Sequence, residues 1–230
     1  MPTTSPLTYD LADSIATITM DDGKANVMSL TMLEALADAF DRAEADRAVV
    51  VLTGRHGLFS AGYDLAVFDA GAAEIVRTLR AGGDIVHRIM SFPFPVVASC
   101  TGHAIAQGAF TLLAADVRIG AAGAFKIGLN EVAIGLTIPH YGIEAARMRL
   151  TPAWCNHATI TGAFYSPPDA LVAGFLDRVV EAESLHDQTQ SEARRLAGID
   201  MTAHAATKLR VRASAIRAVR DGIDREFPAA

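Results

Sequence analysis

Apolar and polar residues alternate over 13–20 (DSIATITM), a two-residue period rich in Ile and Thr that predicts an edge or hairpin strand. Ser29 then stands as an N-cap before a segment whose apolar positions Leu30, Leu33, Leu36, Ala37 and Phe40 recur at helical spacing. Residues 48–53 (AVVVLT) are an unbroken apolar run stopped by Gly54, the pattern of a buried strand. The period is lost over 55–71 among glycines and polar breaks, which predicts a loop. Helical spacing resumes over 72–91 until Pro93 and Pro95 end it. A further buried strand is expected at VVASC (96–100), then a small-residue stretch, HAIAQGAFTLLAAD, turning into a helix at about Gln107, then a strand at DVRIGA (116–121).

This alternation of strand and helix with short links predicts parallel βαβ units with helices outside, an α/β fold. From about Ile143 onward the pattern is helical, broken at Thr151-Pro152, Ser166-Pro167-Pro168 and Gly198, with one strand-like run at 176–180. The last helix, about 203–226, carries Lys208, Arg210, Arg212, Arg217 and Arg220, which read mostly as a solvated basic face. No internal repeat and no low-complexity tract interrupts the chain.

Composition narrows the function classes. Of 230 residues, 51% are hydrophobic and 20% charged, enough to bury a substantial core and too apolar for a disordered chain. Aromatics are only 7% and the formal charge is −6 with no basic run, which argues against nucleic acid as a partner. No basic start leads into an apolar signal region, and no apolar stretch reaches membrane-spanning length. A cytoplasmic protein with no membrane partner is therefore expected. Cys100 and Cys155 lie far apart and are read as free core thiols. The seven histidines show no paired metal-ligand spacing, so no metal site is expected. Neither a nucleophile elbow, a dinucleotide fingerprint nor a phosphate-binding P-loop is present.

Three segments place small residues directly after predicted strands: Gly23-Lys24-Ala25-Asn26, GLFSAGYDL at 57–65, and GHAIAQGAF at 102–110. Small residues let a ligand approach the backbone, and a helix start leaves N–H groups without intrahelical partners. Two such sites facing one carbonyl oxygen would form an oxyanion hole. Spacing alone favours ordinary strand-to-helix turns.

The same segments resemble the crotonase (enoyl-CoA hydratase/isomerase) superfamily. FSAGYDL is similar to the family's first oxyanion segment, and GHAIAQGAF followed by LLAADVRI to the second. GLNEVAIGLTIP at 128–139 is similar to the stretch that bears a catalytic glutamate. The resemblance implies a ββα spiral core over 1–195 holding an acyl-CoA site, and a C-terminal helical segment over 196–230 used in subunit packing. It also implies homotrimers or paired trimers, and no tightly bound cofactor, with coenzyme A entering as part of the substrate. Carried over by position, the main-chain N–H groups of Tyr63 and Gln107 would form the oxyanion hole. Lys24, Ala25, Ser60, Ala61 and Leu65 would hold the coenzyme A, with Lys24 a candidate for a phosphate. Asp64 reads as a helix cap. His140 and Tyr141, after Pro139, are candidates for the acyl pocket.

On this resemblance Glu131 becomes the general acid/base, and its apolar neighbours would raise its pKa toward the working range. The first of the two glutamates that hydratases use would fall at Phe110, which cannot hold or deprotonate water. One carboxylate suffices to carry a proton from C2 to C4 of a 3-enoyl thioester, so a Δ3,Δ2-enoyl-CoA isomerase is the first expectation. A hydratase using Glu131, with a water on the Gln107 side chain, and a non-catalytic acyl-CoA-binding scaffold remain the alternatives.

Overall fold

The computed structural model describes residues 5–228. Strands β1 (Leu7–Ala12) and β2 (Ile15–Met20) form an antiparallel hairpin whose two-residue turn, Asp13-Ser14, takes positive φ at both positions. That geometry matches the twist of the strands it joins. After α1 (Leu30–Ala45), capped by the Ser29 side chain as expected, the chain makes three successive turns of one pattern. Each turn runs strand, short strand, helix: β3 (Val49–Thr53), β4 (Gly57–Ser60), α2 (Ala72–Ser91); then β5 (Val96–Cys100), β6 (Gly102–Ile105), α3 (Gln107–Ala114); then β7 (Val117–Ala121), β8 (Ile127–Gly128), α4 (His140–Arg149). Helix α5 (Pro152–Thr161), β9 (Phe164–Tyr165), α6 (Pro167–Ala173), β10 (Arg178–Val180), α7 (Leu185–Ala197) and α8 (Met201–Glu226) complete the chain. The first strands of the turns build a six-stranded sheet in the order β1-β2-β3-β5-β7-β10, parallel from β2 onward. The second strands build another, β4-β6-β8-β9. This is an α/β spiral of ββα units.

The unbroken apolar runs follow from burial on both faces. Val50 and Leu52 of β3 face the main core, where Phe40 of α1 and Phe92 meet edge to face with ring centroids 5.2 Å apart. Val49 and Val51 face the opposite way, into a second cluster closed by Leu185, Ala193 and Leu196 of α7. A strand covered on both faces needs no polar alternation.

Four sequence expectations are corrected. The 55–71 stretch is not all loop: it holds β4, paired parallel with β6, and a 3-10 turn at Leu65–Asp69. Strand β1 was not expected. The late helices begin at His140 rather than Ile143, because Pro139 starts α4, and they are interrupted by β9 as well as by β10. Finally, the basic face of α8 divides. Arg210 and Arg217 are exposed, but Lys208 and Arg212 are buried on Asp116, with N–O distances of 2.7 and 2.9 Å. Burial pulls the Lys208 ammonium down to about 8 even beside that carboxylate. Helix α8 lies against α2 and α4, which carries its C-terminal end to the region described next. Among the described residues no helix is long and apolar enough to cross a membrane.

Candidate active site

The site begins with a loop tied down by its own side chains. Asp22 accepts from the main-chain N–H groups of Lys24 (2.7 Å), Asn26 (2.9 Å) and Val27 (3.1 Å), folding 22–27 into a tight arch. Asn26, fully buried at φ +47°, donates from Nδ2 to the carbonyls of Met20 and Phe59. The arch is thereby stitched to β4. Two more bonds complete the seam: Ser60 Oγ donates to Asn26 O at 2.7 Å, and Ala61 N–H to Ala25 O at 3.1 Å. The structure therefore brings together the Lys24-Ala25 and Ser60-Ala61 segments, which sequence reading had paired. The Ser60 hydroxyl is fully buried in this seam and Lys24 is exposed. Asp64 caps the 3-10 turn, accepting from Ala66 N–H, and Leu65 stands 61% exposed at its start.

Two residues with positive φ aim the next amides. Gly62 (φ +89°) precedes Tyr63, and Ala106 (φ +52°, ψ −120°) precedes Gln107, the first residue of α3. A positive φ at alanine is strained, of order 1–3 kcal/mol, and persists only where the surroundings hold it. The two turns touch: a Cβ on Gly62 would lie 2.9 Å from Ala106 Cβ and 3.6 Å from Gln107 N. Only glycine allows that approach. Among the described residues neither the Tyr63 nor the Gln107 N–H has an acceptor, although Gly62 O is bonded by Met28 N–H and Ala106 O by Phe110 N–H. Tyr63 and Ala106, the residue before Gln107, line a cavity of about 450 Å³ together with Ala61 and Leu65.

Across that cavity stands Glu131, at the head of a 3-10 turn over Val132–Ile134. It is 6% exposed, and its Oε2 has no hydrogen-bond partner among the described residues. Burial penalises the charged form and, outweighing a hydrogen bond from the residue's own main chain, pushes its carboxyl up to about 7. A carboxyl so poised both takes and gives protons near neutrality.

Phe110 lies elsewhere. It is fully buried on α3, packed edge to face on Tyr141 and filling the space over Gly142, and it does not line the cavity. The fully buried Gln107 side chain is engaged as well, donating from Nε2 to Gly82 O and accepting at Oε1 from Tyr141 Oη. Neither His140 nor Tyr141 lines the cavity, correcting their candidacy for the acyl pocket: Tyr141 is buried behind it, and His140 binds Glu226. Sequence reading missed the far wall entirely. Glu226 and Phe227, at the end of α8, close the cavity opposite the loop. Both Glu226 oxygens are engaged by His140, through its main-chain N–H and its ring Nδ1. Arg80 ties the same end down, donating to Phe227 O at 2.6 Å and to Asp224.

A largely apolar cavity with Tyr63 and Ala106 in its lining and a buried, neutral-range carboxyl at Glu131 can hold a carbonyl beside a group that moves protons near neutrality. Comparison with known proteins shows the family. The sequence model of the enoyl-CoA hydratase/isomerase family matches residues 10–226. A solved enoyl-CoA hydratase/isomerase family protein from Pseudomonas syringae is 43% identical, with 96% of each chain covered and a TM-score of 0.95. A solved protein from Mycobacterium tuberculosis, called an enoyl-CoA isomerase in one structure and a probable enoyl-CoA hydratase in another, is 43% identical in the first over 97% of this chain and 99% of that one, with a TM-score of 0.93. A probable enoyl-CoA hydratase of Mycobacterium avium is 33% identical over 163 residues, 70% of this chain and 62% of the relative. That match spans less than two thirds of the relative's length. The chain belongs to the enoyl-CoA hydratase/isomerase family of the crotonase superfamily.

Proposed function

We propose that the protein is an acyl-CoA enzyme that shifts the double bond of a 3-enoyl thioester to the 2-position, with Glu131 as its only proton carrier. The observation that carries this reading is the single uncommitted carboxyl in the cavity. By the family resemblance a hydratase's first glutamate would fall at Phe110, which carries no carboxyl, and Glu226 has both oxygens on His140.

The thioester oxygen sits against the amides of Tyr63 and Gln107. The Glu131 carboxylate takes a proton from C2, and the electron pair moves through the C2–C1 bond onto the oxygen, giving a dienolate. Each amide stabilises that charge by roughly 3–4 kcal/mol, as single donors do in comparable holes. The same carboxyl, now protonated, delivers the proton to C4, two bonds away. The double bond ends between C2 and C3, with no water consumed and Glu131 again ionised. The adenosine end of coenzyme A lies on the Lys24-Ala25 and Ser60-Ala61 seam, with Lys24 near a phosphate and Leu65 on the pantetheine side. Assembly into trimers or paired trimers and a cytoplasmic setting complete the reading.

Hydration is the second reading, favoured by the likeness to the Mycobacterium avium protein named a probable hydratase. It needs a water held by a second acid or amide, and those groups are spent on other partners. The test is to assay 2-enoyl-CoA and 3-enoyl-CoA side by side by the absorbance of the conjugated enoyl thioester. Isomerisation makes that band grow from the 3-enoyl substrate, and Glu131→Gln abolishes the growth. Brisk loss of the band from 2-enoyl-CoA, with 3-enoyl-CoA untouched, would establish hydration instead.

A further inference from the structure

Tyr63 and Gln107, whose main-chain N–H groups lack acceptors among the described residues, are joined by their side chains through Tyr141. Gln107 Nε2 donates to Gly82 O at 2.9 Å, and a carbonyl can only accept, so Oε1 faces Tyr141. The Tyr141 hydroxyl donates to that Oε1, also at 2.9 Å. Its oxygen is then left to accept from Tyr63 Oη, 2.6 Å away, whose single proton also faces the Leu79 carbonyl at 3.3 Å. The side chains thus form one continuous link from Tyr63 through Tyr141 and Gln107 to the Gly82 carbonyl. Burial raises the pKa of both tyrosines, so the hydroxyls stay protonated at any working pH.

Helix α2 is shaped to let this chain pass. A Cβ on Gly82 would lie 1.8 Å from Tyr63 Oη, and one on Gly83 would lie 2.7 Å from Ile223 Cγ1 and 3.1 Å from a Tyr141 ring carbon. Glycine inside a helix costs about 1 kcal/mol relative to alanine, so two together mark a packing need. A buried polar network often serves stability alone. This one ends on the two residues whose main-chain N–H groups lack acceptors, and Tyr141 itself does not line the cavity.

We propose that Tyr141 is a positioning residue whose hydroxyl clamps the Tyr63 and Gln107 amides at the separation an enolate oxygen requires. The proposal rests on reading those amides as an oxyanion hole. A misplacement of order 1 Å in such a site costs up to about 100-fold in rate. The enolate carries full charge and feels the loss more than the bound ground-state thioester does. Tyr141→Phe should therefore lower kcat by about 10- to 100-fold and leave KM within about twofold.

The decisive readout is equilibrium enolisation of bound acetoacetyl-CoA, whose enolate absorbs in the near ultraviolet and which needs no proton shuttle. Wild type should bind it with an enolisation pKa below that in water. Tyr141→Phe should reverse about one pH unit of that lowering, the equivalent of tenfold. Tyr63→Phe should do the same, and the double variant should lose no more than either single one, because both remove the same link. Coenzyme A alone should bind all four proteins within about twofold. If Tyr141→Phe fails to fold, the half-buried Tyr63→Phe carries the same expectation. A wild-type enolisation pKa in the hydroxyl variants, or strictly additive losses, would overturn the clamp and leave the oxyanion hole standing. No lowering in wild type would overturn the oxyanion hole and the clamp with it.

Discussion

Replacing Glu131 by Gln should abolish turnover and at the same time stabilise the fold, by an amount that depends on pH. The wild-type carboxyl is raised from its ordinary 4.5 to about 7 by burial. At about 1.4 kcal/mol per pH unit, ionising it inside the fold costs about 3 kcal/mol. The sign follows from proton counts. Between pH 4.5 and 7 the folded chain holds the Glu131 proton while the unfolded chain has released it, so stability falls as pH rises through that window. Below 4.5 the cost vanishes, and above 7 it is complete. Glutamine fills nearly the same volume and carries no charge at any pH. Urea unfolding of both proteins at one chain concentration should show Glu131→Gln gaining on wild type by about 1 kcal/mol at pH 5.5 and about 3 kcal/mol at pH 8.5. All other titrating groups are common to both proteins and cancel in the difference. A stability difference that stays constant between the two pH values would refute the buried, unpartnered carboxyl and the catalytic poise drawn from it.

Other expectations follow from the same geometry. With 3-enoyl-CoA, kcat/KM should rise about tenfold per pH unit below 7 and level off above it, as the basic form of Glu131 accumulates; a flat profile from pH 5 to 9 would contradict this. Asp116→Ala leaves Lys208 and Arg212 buried without their carboxylate and should cost about 3–5 kcal/mol in urea unfolding, with a near-neutral result ruling out the buried pair. Gly82→Ala gains about 1 kcal/mol of helix propensity but drives a methyl into Tyr63 Oη, and overpacking of this kind costs about 1–3 kcal/mol. A lower Tm together with a lower kcat is expected, and a higher Tm with unchanged kcat would show the space is free. Phe110→Glu places a charge against Tyr141 behind the cavity, so it should destabilise by about 3 kcal/mol or more and confer no loss of 2-enoyl-CoA absorbance.

Much of this architecture was legible in the sequence because single periods dominated it. Helices α1 and α2 bury one face each, and β3, β5 and β7 bury both, so 3.6-residue spacing and unbroken apolar runs identify them. Strand β1 was not legible: it has one neighbour, is mostly exposed and mixes Thr, Tyr and Asp with Leu. Strand β4 is four residues inside a glycine-rich stretch, and its pairing with β6 is set by tertiary contact rather than by pattern. Lys208 and Arg212 looked like surface because their partner, Asp116, lies 92 residues before Lys208 in the sequence and leaves no local mark. Within the site, the arch at 22–27, the Gly62 turn and the apolar setting of Glu131 could all be located from residue types. The closing wall of Glu226 and Phe227 could not, since it depends on where a long helix finishes in space. The one overlooked signal was Gly82-Gly83, a pair of helix-weakening residues inside an otherwise regular helical period. Such a pair points to something that must pass close to the backbone, here the hydroxyl of Tyr63.

The most direct measurement is a crystal structure of Glu131→Gln with unreacted 3-enoyl-CoA bound. The account predicts the thioester oxygen about 3 Å from both the Tyr63 and Gln107 nitrogens, with the residue 131 side chain over C2 and C4. A thioester oxygen turned to solvent, with those two amides bonded elsewhere, would contradict it.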